Sequence, residues 1–383
     1  MKILIIKTAP GEIRVDKSTY NHQEIGLARA LRKKGHVCDV VCAAESEEKT
    51  ISVDVGLSEP ITLHCLKATK ILKNCFYHKL DSLISQYDIL QLSEYNQMFT
   101  WHVSKKYREK MVVYHGPYYC DFNKRYNMMA RVFDGLFVNR YRKLDTCFLT
   151  KSRLAEDYLR KKGLKNVNTV GVGIDIEALT AGKEDTVPFV EEVLKQHKYK
   201  RMLLYIGRIE PRRNPLFLID VLHELVIRNE DVGLILIGTG DSDYVEAFWQ
   251  HADEMGVNDR IIYQEKLEQK YLCQVYPFAD VFLLPTIYDI FGMVLLEAMY
   301  FSMPVLTTVN GGSDMLIKNE ENGYVFSNFN ISNWCDCISN LFCNKRKCRL
   351  IGNRAHETVC NRFTWEALVD KFIGVYNIKQ IGR

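Results

Sequence analysis

Short apolar runs alternate with segments of helical periodicity along the chain, and this alternation constrains the fold more than any other feature. The runs of the first half lie at 2–7, 37–42, 89–92, 111–114, 147–149 and 167–172. Residues 23–34 carry apolar side chains at helical spacing, and Gly35 follows them as a helix stop. Strands that alternate with helices predict a parallel sheet covered by helices on both faces.

A polar segment at 181–200 interrupts this pattern, after which the alternation starts again. Apolar runs of strand length follow at 202–206, 232–237, 260–263, 281–284 and 305–308. The sequence therefore predicts an α/β chain with two doubly wound, Rossmann-like domains and a ligand crevice at their strand ends. The predicted parts are an N-terminal, acceptor-side domain at 1–180, a linker at 181–200, a second domain at 201–362 and a terminal helix at 363–383.

Composition excludes several classes of function. The net charge of +4 over 383 residues is too small to indicate a nucleic-acid partner. Twelve cysteines are scattered without a CxxC pair, so we expect free thiols in a reducing, cytoplasmic compartment and no metal site. The N-terminus lacks the pattern of a secretory leader, and no apolar run reaches the about 18 residues of a membrane span.

The segment YDIFGMVLLEAM at 288–299 carries the strongest chemical signal. It follows a predicted buried strand, turns at Phe291 and Gly292, and continues as a helix. The first N–H groups of a helix have no partner within it, so this turn is a candidate anion site. Asp289 and Glu297 add hydroxyl acceptors beside that anion. Phosphate and hydroxyl groups together suggest a sugar nucleotide.

Two arginines follow the first strand of the second half, in the segment GRIEPRRNP. Arg208 and Arg213 there suit a diphosphate, because guanidinium groups bind phosphate oxygens and keep their charge. Fixed cations would also stabilise the charge that grows on a departing diphosphate. The alternative is a pair of surface arginines in a loop, which is how we interpret the neighbouring Arg212.

Glycines and a histidine after other strands have two interpretations each. Gly238 and Gly240 in GTGD allow a tight turn, or a close approach of the backbone to a nucleotide. The segment NGG at 310–312 leaves the same choice open. His115 ends a strand, where we expect it to face the crevice rather than the core and to bond a sugar hydroxyl; a structural bond to a carbonyl is the alternative. We expect the loop at 9–19 to border the crevice as well.

The segment PYYCDFNKRYNMMARVF at 117–133 mixes aromatic, methionine and basic residues. It suits an acceptor-side or membrane-facing surface, and it suits a partly buried helix pair equally well.

Taken together, these motifs resemble the retaining glycosyltransferases of family four, which have the GT-B fold. The likeness covers most of the chain and is strongest from 203 to 326. The family's Gly-Arg-Leu segment with a nearby Lys is matched by Gly207-Arg208-Ile209 and Arg213. Its two glutamates with seven residues between them align with Asp289 and Glu297. Its Asn-Gly-Val-Asp turn, its Ala-Asp-Val strand with a Pro-Ser loop, and the start of its terminal helix resemble 171–175, 279–286 and 363–365.

The resemblance implies a role for each matched residue. Arg208 and Arg213 would bind the donor diphosphate, Glu297 the ribose hydroxyls, Asp289 the transferred sugar and His115 a sugar hydroxyl. The backbone of the turn would contact sugar and phosphate through Phe291, Gly292, Met293 and Val294. The family retains the anomeric configuration and generally needs no metal. We expect no cofactor, and a UDP-sugar is favoured over a GDP-sugar as donor.

Several positions depart from the family pattern. Asp289 replaces a glutamate and is one methylene shorter, and Arg213 replaces a lysine with its charge kept. Ser18-Thr19 stand where the family has Gly-Gly on the acceptor side, so that role is not carried over. Met315 replaces a glutamate, and Glu265 replaces the glycine of a Phe-x-Gly turn.

The sequence thus predicts a cytoplasmic, retaining glycosyltransferase that moves a sugar onto a saccharide or lipid-linked acceptor in surface polysaccharide or glycoconjugate synthesis. A peripheral contact with the inner face of the membrane is left open. The departures at Asp289 and Met315 motivate one alternative, a non-catalytic GT-B protein that recognises a glycan or a partner enzyme. A GT-B sugar-nucleotide epimerase is the second alternative.

Overall fold

The computed structural model describes residues 1–15, 22–53, 60–71, 74–144, 146–196 and 198–381. The chain divides into two compact units, in which Met1–Ile174 and Thr364–Arg383 form unit 1 and Asp175–Phe363 form unit 2. This division differs in detail from the sequence boundaries. Residues 181–200, expected as a linker, fall within unit 2 and include a helix at Pro188–Gln196.

Unit 1 is built on an eight-stranded sheet in the order β10-β9-β8-β7-β1-β2-β4-β3, with a separate hairpin of β5 and β6. Its strands are β1 (Lys2–Ile6), β2 (Val37–Ala43), β3 (Lys49–Val53), β4 (Ile61–Leu66), β5 (Ala68–Ile71), β6 (Asn74–Tyr77), β7 (Ile89–Ser93), β8 (Met111–His115), β9 (Cys147–Thr150) and β10 (Val167–Thr169). Among the described strands of the large sheet, only β3 pairs in antiparallel fashion. The aliphatic runs of β1, β7, β8 and β9 are almost wholly buried, as expected for parallel strands covered on both faces.

Helices cover this sheet, and the order of its strands reverses between β1 and β7. They are α1 (Gln23–Lys33), α2 (Leu80–Ile84), α3 (Met98–Lys106), α4 (Lys124–Leu144) and α5 (Arg153–Lys161). Glu94, Gly116 and Lys151 directly follow β7, β8 and β9, so the carboxyl ends of these strands carry polar groups at one edge. Of the loop expected at 9–19, residues 16–19 lie outside the described residues.

Unit 2 has a six-stranded, fully parallel sheet in the order β13-β12-β11-β14-β15-β16. Its strands are β11 (Arg201–Ile206), β12 (Val232–Ile237), β13 (Ile261–Gln264), β14 (Val281–Leu284), β15 (Val305–Thr308) and β16 (Tyr324–Phe326). Numbered from β11, this is the 3-2-1-4-5-6 order of Rossmann-like domains. The order reverses between β11 and β14, which is where such sheets bind ligands. The predicted doubly wound fold class is confirmed in both units.

The helices of unit 2 are α6 (Ile176–Thr180), α7 (Pro188–Gln196), α8 (Leu216–Ile227), α9 (Ser242–Glu254), α10 (Gln269–Val275), α11 (Met293–Tyr300), α12 (Ser313–Leu316), α13 (Ile331–Cys343) and α14 (Lys345–Arg362). Short 3-10 turns at Pro211–Arg213, Asn258–Arg260 and Tyr276–Phe278 complete the connections. The turn at Pro211–Arg213 matters most here, because it leads from β11 to α8 past the reversal point of the sheet.

The last helix, α15 (Trp365–Ile381), belongs to unit 1 although it follows unit 2 in sequence. Its Trp365 is buried between two glycines, since a Cβ on Gly26 or on Gly173 would lie 2.2 or 2.5 Å from the indole ring. Further along the helix, the buried Tyr376 hydroxyl donates to Gln91 Oε1 at 2.6 Å. The indole and the phenol fix α15 against the sheet and α1. Within the described residues no helix is long and apolar enough to cross a membrane.

Candidate functional site

The loop between β14 and α11 forms a tight turn because of Gly292 and Asp289. Gly292, the residue before α11, has φ of +75°, a backbone conformation that costs free energy for any residue with a Cβ atom. Asp289 Oδ1 accepts a hydrogen bond from the Phe291 N–H at 3.3 Å. Since no side chain among the described residues caps α11, the first amides of this helix are left without a side-chain acceptor. The turn therefore has the local features of an anion site.

Arg213 and Asp289 form an ion pair across the reversal point between β11 and β14. Both side chains are largely buried, with 16% and 11% of their surface exposed. Burial lowers the pKa of Arg213, but Asp289, through its charge and its hydrogen bond, together with Tyr205 and Glu210, outweighs burial and raises that pKa above its ordinary value. Arg213 Nε is buried and has no hydrogen-bond partner among the described residues. One donor of this guanidinium is thus unused.

Arg208 differs from Arg213 in being open to solvent, with 57% of its side chain exposed. Its guanidinium lies 3.5 Å from a carboxylate oxygen of Glu210 and 3.7 Å from one of Asp241. Contacts of this length between exposed groups are weak, so the charge of Arg208 can engage another anion.

Arg212, interpreted from the sequence as a surface side chain in a loop, keeps 30% exposure but is held by hydrogen bonds on both its side chain and its backbone. Its guanidinium donates to Glu210 Oε1 at 2.5 Å and to the carbonyl oxygen of Tyr288 at 3.1 Å. The Arg212 carbonyl accepts from Ile287 N–H at 2.9 Å and from the Thr286 hydroxyl at 3.2 Å. Arg212 therefore fastens the loop after β11 to the loop after β14, beside the Arg213–Asp289 pair.

Gly238 and Gly240 allow two loops of unit 2 to approach each other. A Cβ on Gly238 would lie 1.8 Å from the carbonyl oxygen of Gly207, and one on Gly240 would lie 1.8 Å from that of Ile209. Ile209 N–H also donates to the Thr239 carbonyl at 2.9 Å. Both positions thus require glycine because their backbone packs closely against the loop that carries Arg208. Their binding of a nucleotide stays a prediction.

The NGG segment at 310–312 packs in the same way against the turn before α11. A Cβ on Gly311 or Gly312 would lie 1.9 Å from the carbonyl oxygens of Ile290 or Phe291. Asn310 is fully buried, and its Oδ1 accepts from the Gly312 N–H at 3.0 Å. The segment thus packs against the turn before α11. The backbone that approaches these two glycines closely is that of Ile290 and Phe291 in the same chain.

Glu297 lies in the second turn of α11 and is fully buried. Its carboxylate accepts hydrogen bonds from Gln269 Nε2 at 2.8 Å and from the Tyr276 hydroxyl at 3.1 Å. Tyr276 is itself fixed by stacking on Phe301, with ring centroids 4.7 Å apart. The ribose role of Glu297 stays a prediction, and it requires a side-chain movement that opens this carboxylate to a nucleotide.

In unit 1, His115 is buried, whereas the sequence analysis expected it to face the crevice rather than the core. Its ring is fully buried and stacks on Tyr158 at 5.3 Å between centroids. The Nδ1 atom lies 3.0 Å from Glu94 Oε2 and 3.2 Å from the Tyr95 backbone nitrogen. His115 Nε2 is buried without a hydrogen-bond partner in the part of the chain that the structure describes. The sugar-hydroxyl role stays a prediction, with Nε2 as the atom available for it.

Glu94 and Lys151 complete this cluster, and the sequence analysis missed both. Glu94 has φ of +60°, which is unusual for a glutamate, and its Oε2 accepts from the Gly116 N–H at 3.1 Å. Lys151 Nζ lies 3.7 Å from Glu94 Oε1. Burial raises the pKa of Glu94, but Lys151, His115 and the Gly116 N–H together outweigh burial, so the pKa is lowered. Both residues directly follow strands, which is the signal that identified His115.

Comparison with known proteins finds relatives of the region that holds this site. Residues 188–358 match the family described as Glycosyl transferases group 1. Among curated proteins, the chain is 24% identical over 214 residues to the D-inositol 3-phosphate glycosyltransferase of Mycolicibacterium smegmatis, covering 55% of this chain and 47% of that protein. It is 23% identical over 184 residues to spore coat protein SA of Bacillus subtilis, covering 46% and 48%. The chain matches about half the length of these relatives.

Solved structures with a similar fold superpose on nearly the whole chain. Sucrose-phosphate synthase from Thermosynechococcus elongatus superposes with a TM-score of 0.75 at 18% identity, covering 100% of both chains. Anabaena HepE in complex with UDP and glucose gives a TM-score of 0.71 at 17% identity, covering 98% of this chain and 99% of that one. At such identities the likeness establishes the fold. The chain has the GT-B fold, and the region that holds Arg213, Asp289 and Glu297 matches the model of the glycosyl transferases group 1 family.

Proposed function

We propose that the protein is a retaining, metal-independent glycosyltransferase that uses a nucleotide diphosphate sugar, with a UDP-sugar as donor. The acceptor is a saccharide or a lipid-linked saccharide in surface polysaccharide or glycoconjugate synthesis. The reaction takes place in the cytoplasm or at the inner face of the membrane.

One observation carries the proposal: the Arg213–Asp289 pair lies at the point where the strand order of unit 2 reverses. Ligands of doubly wound sheets bind at such a point, beyond the carboxyl ends of the strands. The pair stands beside the uncapped start of α11, and the buried guanidinium keeps one unused donor. Exposed Arg208 adds a second cation from the same loop. Two guanidinium groups and a helix start suit a diphosphate.

In the proposed reaction, each charged residue of the site acts on either the diphosphate or the transferred sugar. The bond between the sugar C1 and the diphosphate oxygen breaks, and its electron pair goes to that oxygen. Arg208, Arg213 and the first amides of α11 stabilise the resulting charge. The acceptor hydroxyl then forms its bond to C1 on the face that the diphosphate leaves, and its proton passes to the departing phosphate. Asp289 orients the sugar through its hydroxyls and makes no covalent bond to it.

The names of the similar proteins support a sugar nucleotide but leave the substrates open. Structures of Anabaena HepE are described as complexes with UDP and with UDP-glucose. The curated relative from Mycolicibacterium smegmatis is named for an inositol phosphate acceptor. The match to that relative leaves out about half of its length, so its acceptor is not transferred to this chain.

The non-catalytic alternative keeps one specific observation in its favour. Asp289 is paired with Arg213, and Glu297 is fully buried between Gln269 and Tyr276. Both carboxylates thus have protein partners. A GT-B protein that recognises a glycan or a partner enzyme would have no need to release them.

A donor screen that measures the nucleotide diphosphate released with mixed acceptors separates these functions. The proposal expects release with at least one UDP-sugar, and loss of most turnover in Arg208→Ala. Arg346→Ala removes an exposed cation on α14 and should keep full turnover. The anomeric proton of the product, observed by NMR, must show the configuration of the donor. Absence of release with every donor, from protein that binds a glycan, would establish the non-catalytic alternative.

A further inference from the structure

Helix α4 and the segment before it expose an unusual number of apolar side chains. In the described part of the chain, fifteen large hydrophobic side chains are exposed, and six of them lie between 119 and 136. These six are Tyr119, Phe122, Met128, Met129, Val132 and Leu136. Single exposed hydrophobic residues are ordinary on a protein surface, but a contiguous group indicates a contact surface.

The exposed group is not needed to hold α4 in the fold, because the opposite side of the helix does so. Ala130, Phe133, Phe137 and Tyr141 are buried. Phe137 packs on Trp101 with ring centroids 5.4 Å apart. The helix therefore has one side in the core of unit 1 and a second apolar side in solvent.

The exposed apolar side chains form a narrow stripe. At about 100° per residue, Met128, Met129, Val132 and Leu136 occupy an arc of about 100° around the helix axis. On the same geometry, basic side chains border this arc on both sides and at both ends of the helix. They are Lys124, Arg125, Arg131, Arg140, Arg142 and Lys143, all of them exposed. We call these six basic residues and the four apolar residues of the arc the α4 surface.

The α4 surface carries positive charge only. The helix, which the structure describes in full, contains six basic residues and one acid, a net charge of +5 against +4 for the whole chain. The acid, Asp134, points inward, where it pairs with Lys162 and accepts from the Tyr95 hydroxyl at 2.9 Å. The rest of the sequence is thus close to neutral, and the excess charge is concentrated on this helix.

We propose that the α4 surface docks on a bilayer of anionic lipids, with α4 lying in the plane of the interface. An apolar stripe bordered by cations is the pattern of helices that bind such interfaces, since the stripe enters the acyl boundary and the cations meet the headgroups. A second copy of the chain would set one cationic helix against another, and that repulsion disfavours a dimer through this surface. Charge complementarity thus selects the anionic bilayer.

The proposed sugar transfer does not depend on this surface, because α4 belongs to unit 1 and the matched region to unit 2; only the proposed location at the membrane rests on it. If the proposed function also holds, docking would bring the enzyme to acceptors that are anchored in lipid. The two ideas can fail separately, since vesicle binding is measured without any sugar nucleotide.

Vesicle flotation of the full chain tests the proposal. We expect the protein to float with vesicles of phosphatidylcholine and phosphatidylglycerol, to stay behind with phosphatidylcholine alone, and to be released by salt. The double variant Val132→Glu/Leu136→Glu should lower the partition coefficient by roughly tenfold or more. Ile227→Glu is the matched control, because Ile227 and Leu136 are both 60% exposed, and it should float like the original chain.

Three results would overturn the proposal. The first is a folded protein that does not bind anionic vesicles, and the second is a double variant that binds them as well as the control. The third is a dimer, detected by sedimentation, that the double variant dissociates while vesicle binding is absent. That result would assign the α4 surface to a second copy. Equal thermal unfolding of the double variant and the control shows that both are folded.

Discussion

Replacement of Asp289 by asparagine should destabilise unit 2 by an amount that follows from the burial of its partner. The variant keeps an acceptor for the Phe291 N–H and removes only the charge that balances Arg213. Loss of one member of a buried ion pair costs about 3–5 kcal/mol. Because Arg213 keeps 16% exposure and Asp289 11%, we expect the lower end, about 3 kcal/mol.

That free energy translates into a clear shift in thermal unfolding. Unit 2 spans Asp175–Phe363, and for domains of this size about 1 kcal/mol corresponds to about 2–4 °C. Scanning calorimetry of the full chain should therefore show the Asp289→Asn transition lowered by roughly 6–12 °C. The matched control is Asp241→Asn, since Asp241 is 92% exposed and lies 3.7 Å from Arg208. Its shift should stay within about 2 °C.

A double variant separates the charge effect from a general loss of packing. Combining Arg213→Met with Asp289→Asn removes both charges, so part of the stability should return relative to Asp289→Asn alone. Equal, small shifts for Asp289→Asn and Asp241→Asn would refute the reasoning. So would a double variant less stable than the sum of the two single changes.

Three further changes test other parts of the structure. Glu297→Ala should raise the Kd for UDP by roughly tenfold or more if this carboxylate binds ribose, measured by calorimetry; an unchanged Kd would remove that role. Because the pKa of Glu94 is lowered in the folded state, the ionised carboxylate stabilises unit 1 at pH values above the ordinary glutamate pKa of 4.5. That contribution is lost as the pH falls through the lower folded pKa. Urea unfolding at acid pH should show this loss in the original chain and not in Glu94→Gln. Gly240→Ala should lower Tm because its Cβ would lie 1.8 Å from the Ile209 carbonyl oxygen, whereas Gly374→Ala in open space on α15 should not.

Much of the sheet of unit 2 could be predicted from the sequence. The strands β11, β12 and β14 are almost wholly apolar runs, β15 begins with two apolar residues, and the predicted runs match all four to within one residue. The short strand β16 was not predicted, because three residues at Tyr324–Phe326 are too few to show a pattern.

Segments with one apolar side were harder to recognise. The charged stretch at 181–200 was predicted to be a linker, but Phe189, Val190 and Val193 of its helix α7 are buried within unit 2. Glutamates on the other side of that helix hid its periodicity. The same effect left the segment at 117–133 with two interpretations, and only the structure shows which side of α4 is exposed.

Contacts between distant residues account for most of the remaining differences at the site. The burial of His115 depends on Tyr158, and the bonds of Arg212 depend on Tyr288, 76 residues away. The sequence pattern around one residue does not show which distant residue it will contact. Glu94 and Lys151 could have been found, because each directly follows a strand.

The central claim is that the group 1 domain binds a nucleotide diphosphate through the loop after β11, and calorimetry of UDP with the full chain tests it most directly. We predict one site per chain, a Kd raised roughly tenfold or more by Arg208→Ala, and an unchanged Kd in Arg346→Ala. Arg208 is 57% exposed, so its removal leaves the fold intact. Folded protein that binds none of UDP, GDP and ADP, or an Arg208→Ala variant that binds UDP as tightly as the original chain, would contradict the claim.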